Sequence, residues 1–224
     1  MLKLAAALIA GFVTTGGWAV VTVKDLPEYL VAGQQYTIEF QVRQHGRTLL
    51  NDLHPSLVIG TSDGEHEATV SAVARPSDGT YAVTFTAPNA ERVFLTIRSG
   101  FMNNQLRLYP QSVVAAGGLR AAMTAGERGQ VLFVAKGCNT CHSNIDLSSR
   151  PDNQSIKVGP ELGARQLARA YVIQKIKNPA SQIMPDLGLS DAETAAIATF
   201  LSGERTAATG SGHWVRRDVQ ARGW

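Results

Sequence analysis

The sequence predicts a two-domain α+β chain, an antiparallel β-sandwich followed by an all-helical domain. Three observations lead there. The first half alternates apolar and polar side chains between Asp-Gly turns. The second half carries two helix-capping boxes. The only two cysteines of the 224 residues stand together in the run Cys138-Asn139-Thr140-Cys141-His142.

The chain begins MLKLAAALIAGFVTTGGWAVVTV. Lys3 is its only charge before Lys24, and an apolar run from Leu4 to Val13 leads into small residues. That is the layout of a secretory signal. Gly17 and Ala19 have the small-x-small spacing of a cleavage site after Ala19. An uncleaved anchor is the alternative, since Leu4 to Val23 gives 20 uncharged residues, about one bilayer span. Trp18 to Val23 also reads as the first strand of the folded part. Either way the chain is expected to be exported, periplasmic or otherwise, with membrane association if the leader stays as an anchor.

Charged residues are 17% and hydrophobic ones 44%, a globular composition. A net charge of +3 is too small to argue for nucleic acid. Its distribution is uneven. Val20 to Ala115 carries 7 Lys/Arg against 9 Asp/Glu, and Gly117 to Trp224 carries 13 against 9. The Val113-Val114-Ala115-Ala116-Gly117-Gly118 stretch between them reads as a domain boundary. The expected organisation is a leader over 1–19, a sandwich over 20–115, a helical domain over 116–203 and a basic tail over 204–224.

In the first half, Tyr36, Ile38, Phe40 and Val42 alternate with polar residues from Gln35 to Arg43. Period two over that length is a half-buried strand. The pattern returns at Tyr81, Val83, Phe85 and at Val93, Leu95, Ile97. Asp63-Gly64 and Asp78-Gly79 supply tight turns, because glycine accepts a positive φ. The run from Asp78 to Pro88 resembles exported immunoglobulin-like domains of the YtkA-like and FixH-like kind, which implies fold more than function. His45, His54, His66 and Met102 are of the types that bind copper. They lack ligand spacing and read as solvated loop residues.

In the second half, Thr124 with Glu127 forms a capping box. The helix it opens is expected to run to about Lys136 and stop at Gly137. A second helix fits Ala164 to Lys177, ended by Asn178-Pro179. Ser190 with Glu193 opens a third, stopping near Ser202-Gly203. Such helices make a thin core, so something else should fill it.

C-x-x-C-H is the attachment signature of c-type haem. Each thiol adds across one vinyl group, and the adjacent histidine is directed at the iron. The other readings fit less well. Zinc would need a fourth ligand. A redox dithiol should follow a strand in a βαβ unit. A disulfide over so short a loop stabilises little.

Around this motif, residues 120 to 203 resemble a class I cytochrome c. Gly129 and Phe133 match the family's glycine and aromatic on the first helix, and Phe200 its aromatic on the last. Val158-Gly159-Pro160-Glu161-Leu162 resembles the Gly-Pro-x-Leu segment, whose proline carbonyl accepts from the ligating histidine. The resemblance implies one covalent haem c held by Cys138 and Cys141, with His142 and Met184 on the iron. Met184 lies 42 residues after His142, in the Ile183-Met184-Pro185 loop. Pro160, Tyr171 and Arg165 would form the haem's surroundings, the last two near its propionates. Met/His ligation fills both axial positions, so electron transfer rather than catalysis is expected.

Two segments depart from the compact pattern. These are Ser143 to Lys157 and the tail beyond 203, in which His213 is a conceivable alternative ligand. Lys136, Lys157, Lys175 and Lys177 are expected to rim the haem and to favour redox proteins with an acidic docking surface. The chain could be a soluble carrier or a subunit of a membrane redox complex. A haem oxidoreductase with an open sixth position and a copper-handling or sensor protein are the alternatives.

Overall fold

The structure is a computed structural model. It describes residues 17–61, 68–77, 79–144, 147, 156, 158–163, 165–179 and 184–203. The leader before Gly17, the Asp63-Gly64 turn, His66, most of the Ser143–Lys157 segment and the tail with His213 lie outside the described residues.

Two sheets face each other in the first half. One carries β1 (Ala19–Val23), β3 (Gln35–Gln44), β8 (Thr80–Thr86) and β7 (Val73–Ala74) in that order, with β4 (Thr48–Leu49) also on β3. The other runs β2 (Leu30–Val31), β11 (Gln111–Val114), β9 (Arg92–Arg98), β5 (Ser56–Thr61) and β6 (Ala68–Ser71), with β10 (Gln105–Arg107) also on β9. The alternating residues read from sequence fill the space between. Ile38, Phe40, Val42, Tyr81, Val83, Phe85, Val93, Leu95 and Ile97 are all buried. Gly79 has φ +56 at the β7–β8 turn, where the Asp-Gly pair called for it.

One pairing departs from the antiparallel expectation. β11 runs parallel to β2, Val113 opposite Leu30. A parallel neighbour needs a long connection, and here that connection is the whole sandwich. Two-residue β2 has no period to read.

β11 ends at Val114, and a turn with Gly117 at φ +78 leads toward the helices. α1 (Ala125–Ala135) is opened by the Thr124–Glu127 capping box, and α4 (Asp191–Ser202) by the Ser190–Glu193 box. Both boxes are local pairs that satisfy free first-turn amides. The two helices cross at Gly129. A Cβ there would stand 1.9 Å from the Ala196 carbonyl oxygen. One turn further along, the rings of Phe133 and Phe200 meet at 5.8 Å.

α3 (Arg169–Lys177) starts five residues later than the sequence suggested. Gln166 has φ +41, and Ala168 is extended with no side chain to cap the helix. Leu167 instead turns into the central cavity.

The halves are packed together through β1. Its residues alternate between faces. Ala19, Val21 and Val23 join the sandwich core, so Val20 and Thr22 point outward. Yet all five are buried, Val20 to 2%. The helical domain covers the outer face. Thr22 Oγ1 donates to the Lys136 carbonyl at 3.4 Å, Lys136 Nζ donates to the Lys24 carbonyl, and Arg128 Nη2 donates to the Leu26 carbonyl at 2.5 Å. The Met123 amide donates to Glu28 at 3.1 Å. No helix among the described residues is long and apolar enough to cross a membrane.

Candidate functional site

α1 ends at Gly137, whose φ of +77 turns the chain into the single turn α2 (Cys138–Cys141). Glycine is required there twice over. The backbone is left-handed, and a Cβ would stand 2.6 Å from Val20 Cγ1 and from the Val21 carbonyl oxygen.

The His142 amide donates to the Cys138 carbonyl at 2.9 Å, which closes the turn and throws the histidine out beyond it. The following segment folds back on this turn. The amides of Ile156, Gly159 and Leu162 donate to the carbonyls of Thr140, Cys141 and Ser143, each at 2.9 Å. That clamp brings the Pro160 carbonyl to 2.9 Å from His142 Nδ1. A carbonyl only accepts, so Nδ1 carries the proton and Nε2 keeps a free lone pair. Gly159 lies under the ring. A Cβ there would be 2.5 Å from His142 Cε1 and Nδ1.

The imidazole opens onto a cavity that is open to solvent on one side. Cys138, Cys141, His142, Pro160, Tyr171 and Met184 all line it. Its other walls are almost wholly apolar, from Leu162 and Leu167 through Val172 and Ile176 to Leu187. Val20, from the sandwich, is among them. Tyr171, half exposed, stands at the mouth with Lys175 Nζ 5.4 Å from its ring centroid.

Arg165 is exposed and does not line the cavity. The expected lysine rim also changes. Lys136 is buried and paired with Glu193 at 2.5 Å. Lys177 binds Asp191 at 2.7 Å and the Leu189 carbonyl at 2.9 Å. Lys157 lies outside the described residues. Of the three described lysines, Lys175 alone lines the cavity.

The cysteines are not bonded to each other. Burial, then the neighbouring Cys141, pushes the Cys138 thiol up to about 12, and burial also raises Cys141. Both are therefore neutral thiols at pH 7, not the exposed thiolates of a reactive redox pair. Such surroundings suit a neutral, apolar thioether. Two thiols, an imidazole with a free lone pair and a thioether around one apolar cavity form a donor set that fits haem c.

His45 lies at the β3–β4 turn with φ +51, its ring 5.4 Å from that of Trp18. Met102 is exposed, and its sulfur accepts from the Gly17 amide at 3.5 Å. Among the described residues no group of three or more His, Cys, Asp or Glu is placed to hold a metal ion.

Residues 124–201 match the family model of the cbb3-type cytochrome c oxidase subunit III. The match supports a cytochrome c domain over about a third of the chain, and with it covalently bound haem c and a role in electron transfer. The comparison with curated proteins returns no match.

Among solved structures, the native conformation of E. coli alpha-2-macroglobulin is similar at 15% identity and TM-score 0.35, over 44% of this chain and 6% of that one. The Lin-41 filamin domain is similar at 18% identity and TM-score 0.33, over 44% of this chain and 98% of that one. Salmonella alpha-2-macroglobulin reacted with methylamine is similar at 16% identity and TM-score 0.36, over 50% of this chain and 7% of that one. At those scores none carries an argument about this chain.

Sequence reasoning missed Val20 and Leu167 as cavity residues. Val20 sits in a continuous apolar run, which signals a strand buried on both faces but not what covers it.

Proposed function

We propose that this chain is an exported monohaem c-type cytochrome that passes single electrons between protein partners, as a carrier or as a subunit of a membrane redox complex. The observation that carries this reading is the His142 Nδ1 to Pro160 carbonyl contact at 2.9 Å, at a cavity that both cysteines and Met184 also line.

Bound haem supplies a one-electron centre. The rest of the work falls to the chain. Cys138 and Cys141 would tether the ring covalently. Pro160 fixes the His142 tautomer, leaving Nε2 available to the iron, and holds the imidazole against rotation. Met184 would supply a soft sulfur donor, which favours the reduced state. The apolar walls keep water out and act in the same direction. With His142 and Met184 both given to the iron, no donor position would be left for a substrate, which favours electron transfer over catalysis. Tyr171 and Lys175 stand where the cavity meets solvent, and a cation there suits an acidic partner surface.

The test is a pyridine haemochrome assay with oxidised and reduced visible spectra on protein matured in a c-type-competent periplasm. Covalent haem in the wild type, low-spin, with the sulfur–iron charge-transfer band lost in Met184→Ala, is the expected result. Absence of covalent haem overturns the reading. A high-spin wild type replaces it with the open-site oxidoreductase.

A further inference from the structure

We propose that the β-sandwich is a fixed wall of the haem site, closing it beside Cys138 with Val20 and bracing the Met184 segment with the β3–β4 turn. This rests on the haem reading above and deepens it.

Val20 is where the two halves meet the cavity. It points away from the sandwich core and lines the space that Cys138 and His142 line. Its Cγ1 presses on Gly137, the residue before Cys138. Its Cγ2 faces Gly46 in the β3–β4 turn. A Cβ on Gly46 would stand 3.6 Å from Val20 Cγ2 and 3.5 Å from the ring of Pro185, the residue after Met184. The sandwich therefore lies against the neighbour of a haem-tethering cysteine and close beside the neighbour of Met184.

Arg43, the cross-strand partner of Val20, shares its outward face. Behind these contacts the Lys136 ammonium is shared between the Lys24 carbonyl and Glu193, so the wall is locked to α1 and α4 together.

Two consequences follow. An apolar wall excludes water from one side of the haem, which disfavours the more highly charged ferric state and raises the potential. A braced Met184 segment resists displacement by an external ligand. The sandwich is then a device for setting the haem's potential and ligation rather than a spacer.

The experiment uses the full-length, matured protein, with haem content measured first. Val20→Thr keeps the shape and adds a hydroxyl; Val20→Ala opens the wall and removes the methyl that faces Gly46. Ile97→Val trims the core of the other sheet as a control.

The midpoint potential and imidazole binding to the ferric protein are the readouts. Val20→Thr should lower the potential. Val20→Ala should tighten imidazole binding several-fold. Ile97→Val should change neither. If the Val20 variants carry haem with wild-type potential and imidazole affinity, the wall is refuted and the haem reading stands. If Ile97→Val shifts both equally, the effect is general loosening and the proposal falls. If the wild type carries no covalent haem, the haem reading itself has failed.

Discussion

Lys136 and Glu193 meet at 2.5 Å in the seam where α1, α4 and the segment after β1 converge. The lysine is only 3% exposed. A dry ammonium is costly unless its donors are satisfied, and here it also donates to the Lys24 carbonyl. Lys136→Met should therefore destabilise the protein by about 3 kcal/mol, because the half-buried carboxylate and a buried carbonyl lose their partner. Denaturant unfolding measures this. The Lys136→Met/Glu193→Gln double variant should recover part of the loss, giving a non-zero coupling energy.

Glu193 makes the same seam sensitive to acid. Burial would raise its carboxyl, but the hydrogen bonds from Lys136 and Ser190 outweigh burial and leave it below its ordinary value. A depressed folded value means that the ionised form stabilises the fold. That stability is fully present above the unfolded-chain value of about 4.3 and is lost as pH falls through the folded value. The slope of stability against pH on the acid side should flatten in Glu193→Gln. An unchanged slope would assign the acid response to other carboxylates.

Gly129 is the tightest point of the helical domain. A Cβ at 1.9 Å from the Ala196 carbonyl oxygen cannot be absorbed by rotating a side chain. Gly129→Ala should cost about 3 kcal/mol by overpacking, despite alanine's better helix propensity. Since α1 leads directly into Gly137 and Cys138, the variant should also mature with less haem per chain. Thermal unfolding and the haem-to-protein ratio report the two effects separately.

Much of this site was legible because its signals are local. Both capping boxes and the Cys-Asn-Thr-Cys-His run depend on residues three or four apart, and the Gly129, Phe133 and Phe200 crossing on one small residue facing one aromatic pair. What failed depends on distant neighbours. Lys136 reads as a rim cation at the end of a helix, and nothing near it in sequence says that β1 lies across that end. Val20 and Val21 look alike in sequence, yet one faces the sandwich core and the other the cavity. α3 begins at Arg169 rather than Ala164, because the cavity takes Leu167 from an irregular segment after Gln166, which no local signal marks.

Gly159 predicts a positional role that composition cannot. A Cβ there would press on the His142 ring at 2.5 Å. Gly159→Ala must either push the imidazole away from the cavity or break the 2.9 Å contact with Pro160. Losing one hydrogen bond of this kind costs about 1 kcal/mol, but the larger effect falls on orientation. The variant should show weaker axial ligation, read as a lower reduction potential and a greater high-spin fraction. The same spectrum and potential as wild type would mean that the backbone shifts and the ring does not.

Lys175 is the described lysine that lines the mouth of the cavity, and it rests against the half-exposed ring of Tyr171. A cation at that point should speed electron exchange with anionic reagents and slow it with cationic ones. Ferricyanide and hexaammineruthenium provide the pair of probes. For the wild type, the ferricyanide rate should fall as salt rises and the hexaammineruthenium rate should climb, because charges separated by more than about 8 Å are screened at 0.15 M. Lys175→Glu should reverse both trends and cut the low-salt ferricyanide rate by about tenfold, while the visible spectrum stays unchanged. If the reversal is absent, electrons leave by an edge other than the one Tyr171 and Lys175 border. An acidic partner would then have to be sought against a different face of the helical domain.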